Sequence, residues 1–185
     1  MLSCLAHEPT TMHANRHNTW GNVDLEPKAL RNLFGSYPTG VAIVTTRTPD
    51  GRSVGLTINS FATLSLDPPL VLWSLVDRSP NLATFRECTH FAINILANGH
   101  EDLAKRFATA AVPDKFDGVA VQETPEGIPA IDGAVATLVC AHDDCRHVGD
   151  HLLLIGRVVR TANQPGTPLV FHAGRFTSLH AVSVL

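Results

Sequence analysis

The sequence predicts a mainly β fold, an antiparallel barrel with a few short flanking helices. Three observations point there. Short runs rich in Val, Ile, Thr and Phe recur along the chain, turn residues such as Thr48-Pro49-Asp50-Gly51 join them as hairpins, and few helical stretches intervene. The chain has 185 residues, 44% apolar and 17% charged. That is enough for one domain burying about two-thirds of its unfolded surface, and it excludes wholesale disorder.

Residues 1–24 are polar, rich in His and Asn and aperiodic, and read as a mobile leader; residues 25–185 form the domain. Glu26-Pro27 opens a short helix to residue 34, with Pro in the first turn and Leu30, Leu33 and Phe34 on one face. A β-branched strand over 41–46 turns at 48–51 into a returning strand over 53–63, and a third strand covers 70–76. Ser79-Pro80 caps a helix across 81–87, a strand follows over 91–96, and a helix runs from about Glu101 to Phe107. Residues 109–133, with their scattered Pro and Gly, read as a long surface excursion. Two long strands, 134–147 and 150–161, flank a Val148-Gly149 turn. A short strand over 169–171 and a Gly174-Arg175-Phe176 turn close the chain.

The segment Gly55-Leu-Thr-Ile-Asn-Ser-Phe-Ala-Thr-Leu-Ser-Leu-Asp-Pro-Pro-Leu70 is the most informative. Leu56, Ile58 and Ser60 alternate with Thr57, Asn59 and Phe61. An ordinary half-buried strand carries Lys, Glu or Arg on its wet face. Here Thr57, Asn59, Ser60, Thr63 and Ser65 offer only small neutral donors and acceptors, which suit an uncharged hydrogen-bonding ring. Two prolines then end the strand.

Three features join that segment. Arg78-Ser79-Pro80-Asn81 stands at a helix start, where free N–H groups and the dipole attract an anion; alone it reads as a plain cap. Lys105-Arg106 ends a helix, and at most one of two adjacent cations faces a ligand, so Arg106 is the candidate phosphate partner and solvent the default for either. In Gly149-Asp150-His151 an imidazole sits at a strand mouth, with Asp150 read as a turn residue rather than an orienting partner.

Several classes lose support. Net charge is −3, with basic residues scattered, which disfavours nucleic acid. No apolar run approaches the roughly 20 residues of a spanning helix. Cys4, Cys88, Cys140 and Cys145 form no CxxC pair and the start lacks a secretory core, so a cytoplasmic protein with reduced thiols is expected and Cys140 is an inert core thiol. The run His142-Asp143-Asp144-Cys145-Arg146-His147 lacks metal-ligand spacing, and no nucleophile elbow, Walker sequence or GxGxxG occurs.

Taken in order, these pieces resemble the flavin reductase-like family. The resemblance spans about residues 30–179: Pro38-Thr39-Gly40-Val41, the segment from Gly55, Ser79-Pro-Asn81, Phe91-Ala-Ile-Asn-Ile-Leu96, Asp114-Lys-Phe116, Gly149-Asp-His151 with Gly156-Arg-Val158, and Pro168-Leu-Val-Phe171 with Gly174-Arg-Phe176. It implies a Greek-key split β-barrel that binds FMN or FAD, and a homodimer with flavin near the subunit interface. By this likeness Thr57, Asn59, Ser60, the Phe61 backbone and Ser65 hold ring and ribityl chain. Ser79, Asn81 and Arg106 take the phosphate, Phe176 contributes stacking, and His151 places the nicotinamide. Phe171 and Phe176 stand where relatives often carry Tyr. The implied activity is hydride transfer from NADH or NADPH to flavin, supplying reduced flavin to a partner monooxygenase or halogenase, with no protein nucleophile. A non-catalytic flavin- or haem-binding barrel and a flavin-dependent oxidase of a small amine are the alternatives; the second wants a basic cluster around a substrate phosphate.

Overall fold

The computed structural model describes residues 26–110 and 112–179, so the expected leader lies outside the described residues. The chain runs α1 (Pro27–Phe34), β1 (Thr39–Gly40), β2 (Ala42–Arg47), β3 (Ser53–Ile58), β4 (Ala62–Leu66), β5 (Pro69–Val76), α2 (Leu82–Glu87) and β6 (His90–Ile95). It continues through α3 (Glu101–Ala108), β7 (Val121–Glu123), β8 (Pro129–Ile131), β9 (Ala136–Val148), β10 (His151–Asn163), β11 (Leu169–His172) and β12 (Arg175–Ser178). No helix among the described residues is long and apolar enough to cross a membrane.

The expected antiparallel barrel forms, and its closure follows from chain length. Seven strands pair in the order β3-β2-β6-β9-β10-β5-β4, which makes β3 and β4 the two edges. Laid flat, those edges would stand about 29 Å apart. Yet only Asn59, Ser60 and Phe61 separate them in the chain, a link that reaches about 14 Å when fully extended. The sheet must therefore roll until its edges nearly meet, leaving a split between β3 and β4. The Ser60 hydroxyl fixes the crossing: its oxygen accepts from the Ser74 N–H and donates to the Ser74 carbonyl, both at 3.1 Å. The expected single strand over 53–63 is thus corrected to two strands on opposite sheet edges.

Inside the roll, Trp73 packs edge-on against Phe85 and Phe91, with ring centroids 5.1 and 5.8 Å away. Val44, Ile93, Leu152, Leu154 and Cys140 complete this core. Burial pushes the Cys140 thiol up to about 12, as an inert core cysteine requires. A bulge in the β9–β10 ladder falls at Ile155/Gly156. A Cβ on Gly156 would lie 2.4 Å from Phe91 Cζ and 2.8 Å from Cys140 Cβ. We expect Gly156→Ala to destabilise the fold by about 2–3 kcal/mol through overpacking, read as a lower urea midpoint. An unchanged midpoint would show that Phe91 yields freely.

A second core joins Val41, Ile43, Leu96, Ala104, Phe107, Ile131 and Leu169, seating α3 and β11 on the barrel. The excursion contains the β7–β8 hairpin, which the sequence reading did not separate out; three-residue strands are too short for alternation to show in sequence. The expected turn at Gly174-Arg175-Phe176 is also corrected: Ala173 and Gly174, at φ +48° and +78°, make the turn, and Arg175 and Phe176 already belong to β12. The helix expected from residue 81 starts at Leu82, with Asn81 at its cap position.

Candidate functional site

A concavity of about 880 Å³ lies beside the free edge of β3. Ser53 to Thr57 form one wall, Leu75 to Asn81 (missing Asp77) another, and parts of the stretch from Phe107 to Phe116 a third. Two local choices shape it. Gly55 has no side chain because a Cβ would meet Phe107 Cε1 at 2.8 Å and Phe116 Cζ at 3.2 Å, so these two rings, 5.0 Å apart and edge-to-face, close against the β3 backbone. Thr57 then ties α3 to the same strand, its hydroxyl donating to the Ala104 carbonyl at 2.6 Å.

Of the residues picked out from sequence, Thr57, Ser79 and Asn81 line this cavity. Ser79 Oγ accepts the Asn81 N–H at 3.3 Å, so the two are arranged as one turn. Asn59, Ser60, Phe61, Ser65, Arg106, His151 and Phe176 are outside its lining. Asn59 is exposed on the link, Ser60 is engaged with Ser74, Phe61 packs on the main core, and Ser65 is half-buried beside a bulge in β4. Phe176 lies in the small β1-β11-β12 sheet, edge-on to Phe171 at 5.5 Å.

His151 opens β10 directly opposite Val76, a cavity residue, so it stands one strand away from the mouth. Its Nδ1 is 2.7 Å from Asp150 Oδ1. Asp150 is therefore an orienting partner as well as a turn residue. The expectation that neighbouring side chains diverge holds only within a strand, and Asp150 precedes it. The His151 hydrogen bond comes first among the causes holding the Asp150 carboxyl below the usual carboxylate range. The ionised carboxylate thus contributes fully above its ordinary pKa, and the contribution fades only as pH falls through the lowered one. A carboxylate acceptor places the ring proton on Nδ1 and leaves Nε2 for another partner.

Arg106 is accounted for differently from its expected phosphate role. Its guanidinium donates to the carbonyls of Asp114 and Asp117, at 3.2 and 2.6 Å, and so clamps the excursion. The cations at the cavity are Arg52, Arg78 and Lys115. Arg47, Arg86, Lys105, Arg146 and Arg160 each sit on a carboxylate, whereas these three form no ion pair among the described residues. Lys115 Nζ donates only to the neutral Phe107 carbonyl, at 2.8 Å, and burial lowers its pKa. Arg52 and Lys115 were missed from sequence because nothing local says which cations a fold withholds from carboxylates. The Asp114-Lys-Phe116 triplet was the available signal.

Neutral hydroxyl and amide donors with unpaired cations fit a ligand that joins an uncharged polar ring to phosphate. A family model described as "flavin reductase like domain" matches residues 34–180. The chain is 41% identical over 149 residues to FMN reductase (NADH) SmoA of Agrobacterium fabrum, covering 80% of this chain and 84% of that one. It is 38% identical to the reductase component of the flavin-dependent trigonelline monooxygenase of Acinetobacter baylyi, covering 80% of this chain but only 48% of that relative. Among solved structures, the NADH:FAD oxidoreductase SgcE6 of Streptomyces globisporus, in complex with NAD and FAD fragments, superposes with a TM-score of 0.81 at 35% identity. That match covers 86% of this chain and 98% of SgcE6.

Proposed function

The chain belongs to the flavin reductase-like family, and on that premise we propose that it is an NAD(P)H:flavin oxidoreductase supplying reduced flavin to a separate monooxygenase or halogenase. The observation that carries this reading is the β3 cavity, which gathers the neutral polar side chains of Thr57, Ser79 and Asn81 with three cations, Arg52, Arg78 and Lys115, that form no ion pair among the described residues. Relatives named as reductase components of a trigonelline monooxygenase and of a tryptophan halogenase support the choice of partner.

A bound flavin supplies the redox chemistry, accepting hydride from the nicotinamide. The protein's part is placement. Thr57 and the backbone of β3 hold the ring side, with Asn59, Ser60, Phe61 and Ser65 bordering it across the split. Ser79, Asn81 and Arg78 take the phosphate next to the ribityl chain. His151, oriented by Asp150, positions the nicotinamide at the mouth. Phe176 lies in the β1-β11-β12 sheet, packed on the core that also holds Phe107 and Phe116, and is absent from the cavity lining.

A second copy of the chain is part of the proposal. Leu64 and Leu66 on edge strand β4 are 48% and 94% exposed, an apolar border beside the split that a homodimer would cover. Cys88, Cys140 and Cys145 are free thiols, in keeping with a reducing compartment such as the cytoplasm.

The activity is tested by following NADH and NADPH consumption with FMN or FAD added in turn and no partner enzyme present. Oxidation that rises with added flavin is expected. Oxidation indifferent to flavin would contradict the assignment.

A further inference from the structure

Between Leu75 and Asn81 every residue lines the cavity except Asp77. Its peptide N–H and its carboxylate both go to the β9–β10 hairpin instead. The N–H donates to the Asp150 carbonyl at 3.0 Å, and Oδ1 lies 3.1 Å from His147 Nδ1. Asp150 in turn holds His151, Oδ1 to Nδ1, at 2.7 Å. A single residue therefore joins the turn assigned to the phosphate, Arg78-Ser79-Pro80-Asn81, to the hairpin tip that carries the imidazole assigned to the nicotinamide.

These contacts lie where a ladder ends. Val76 and His151 form its last β5–β10 rung, so Asp77 and Asp150 stand one step beyond it. The His147 and Asp77 side chains are 56% and 40% exposed, and an exposed pair of this kind adds little to global stability. Exposed bonds past a ladder's end open readily by local fluctuation, so whatever fixes one side of them steadies the other. Residues 76–81 can pass such a restraint on. The Ser79 N–H donates to the Val76 carbonyl at 2.9 Å, and the Asn81 N–H donates to Ser79 Oγ at 3.3 Å. An anion held at Ser79 and Asn81 thus restrains Asp77 as well.

Resting on the flavin-reductase reading, we propose that Asp77 is a positioning residue that couples the two ligands: with the flavin phosphate seated, it holds the β9–β10 tip and so sets His151 for the nicotinamide. Flavin and nicotinamide then tighten each other, by the same factor in either direction. His147 takes part by fixing the Asp77 carboxylate from the hairpin side.

The test is a fluorescence titration of the flavin-free full chain with FMN and with riboflavin, each alone and with excess NAD+ or NADP+, which leave oxidised flavin unreduced. The nicotinamide is expected to tighten FMN about fivefold or more, and riboflavin, with no phosphate to fix the turn, by less than about twofold. Asp77→Ala and His147→Ala should each bring the FMN shift below about twofold while the thermal midpoint stays within about 4 °C; either variant decides if the other misfolds. Asp77→Asn, whose amide oxygen still accepts the imidazole N–H, should keep the shift. Three results overturn the proposal and leave the flavin reading standing: FMN binding that neither nicotinamide moves, an equal shift for riboflavin, as direct ring stacking would give, or a shift that survives in both alanine variants. Failure of FMN and riboflavin to bind at all removes the reading itself and the proposal with it.

Discussion

Asn94→Leu is expected to destabilise the protein by about 3–5 kcal/mol, lowering its thermal midpoint by about 10 °C or more. Asn94 is fully buried in β6, and every polar atom of its side chain is used. Nδ2 donates to the Ile43 carbonyl at 2.9 Å and to Thr45 Oγ1 at 3.2 Å. Oδ1 accepts from the Ile131 N–H at 2.9 Å and from Thr137 Oγ1 at 3.2 Å. Leucine keeps the branched shape but is bulkier and answers none of them, and each orphaned buried group costs about 1–3 kcal/mol. The Thr45 hydroxyl, donating to Pro129 at 2.6 Å, would keep part of the network and caps the loss at this level. Because Pro129 to Ile131 anchor the far end of the excursion whose near end roofs the cavity, flavin affinity should fall as well. A change below about 1 kcal/mol would mean that water enters to replace the amide.

His151→Ala is the second large effect. The apparent KM for the nicotinamide should rise about tenfold or more, while the flavin dissociation constant stays within about twofold. The separation follows from position. His151 is absent from the cavity lining, yet it faces Val76 across the β5–β10 ladder and is aimed by Asp150. Asp150→Asn should move the same constant by less, since the imidazole remains but its preferred tautomer is lost. An unchanged nicotinamide KM in His151→Ala would take this residue out of the site.

What could be read from sequence was whatever local chemistry decides. Pro27 starts α1, Thr48-Pro49-Asp50-Gly51 turns β2 into β3, and the long alternating stretches around Gly149 become β9 and β10. The break after Ile58 could not be read this way. Alternation continues through Asn59 and Ser60 with no Gly or Pro, and the chain leaves one sheet edge for the other where the Ser60 hydroxyl meets the Ser74 backbone, a contact that no local pattern announces. The same limit governs the site. Thr57, Ser79 and Asn81 reach the cavity because neutral polar residues on an apolar strand and at a helix start are local signals. Whether Arg106 or Lys115 supplies the cation depends on how the excursion folds back, and it folds so that Arg106 becomes its clamp.

The central claim is that the groove between β3, the residues from Leu75 to Asn81 and the excursion around Phe107 and Phe116 is where flavin resides. A crystal structure of the full chain grown with FAD or FMN tests it most directly. The account predicts density for the isoalloxazine along β3 near Thr57, with phosphate at Ser79 and Asn81. Flavin bound on another face of the barrel, or a groove empty at saturating flavin, would contradict it.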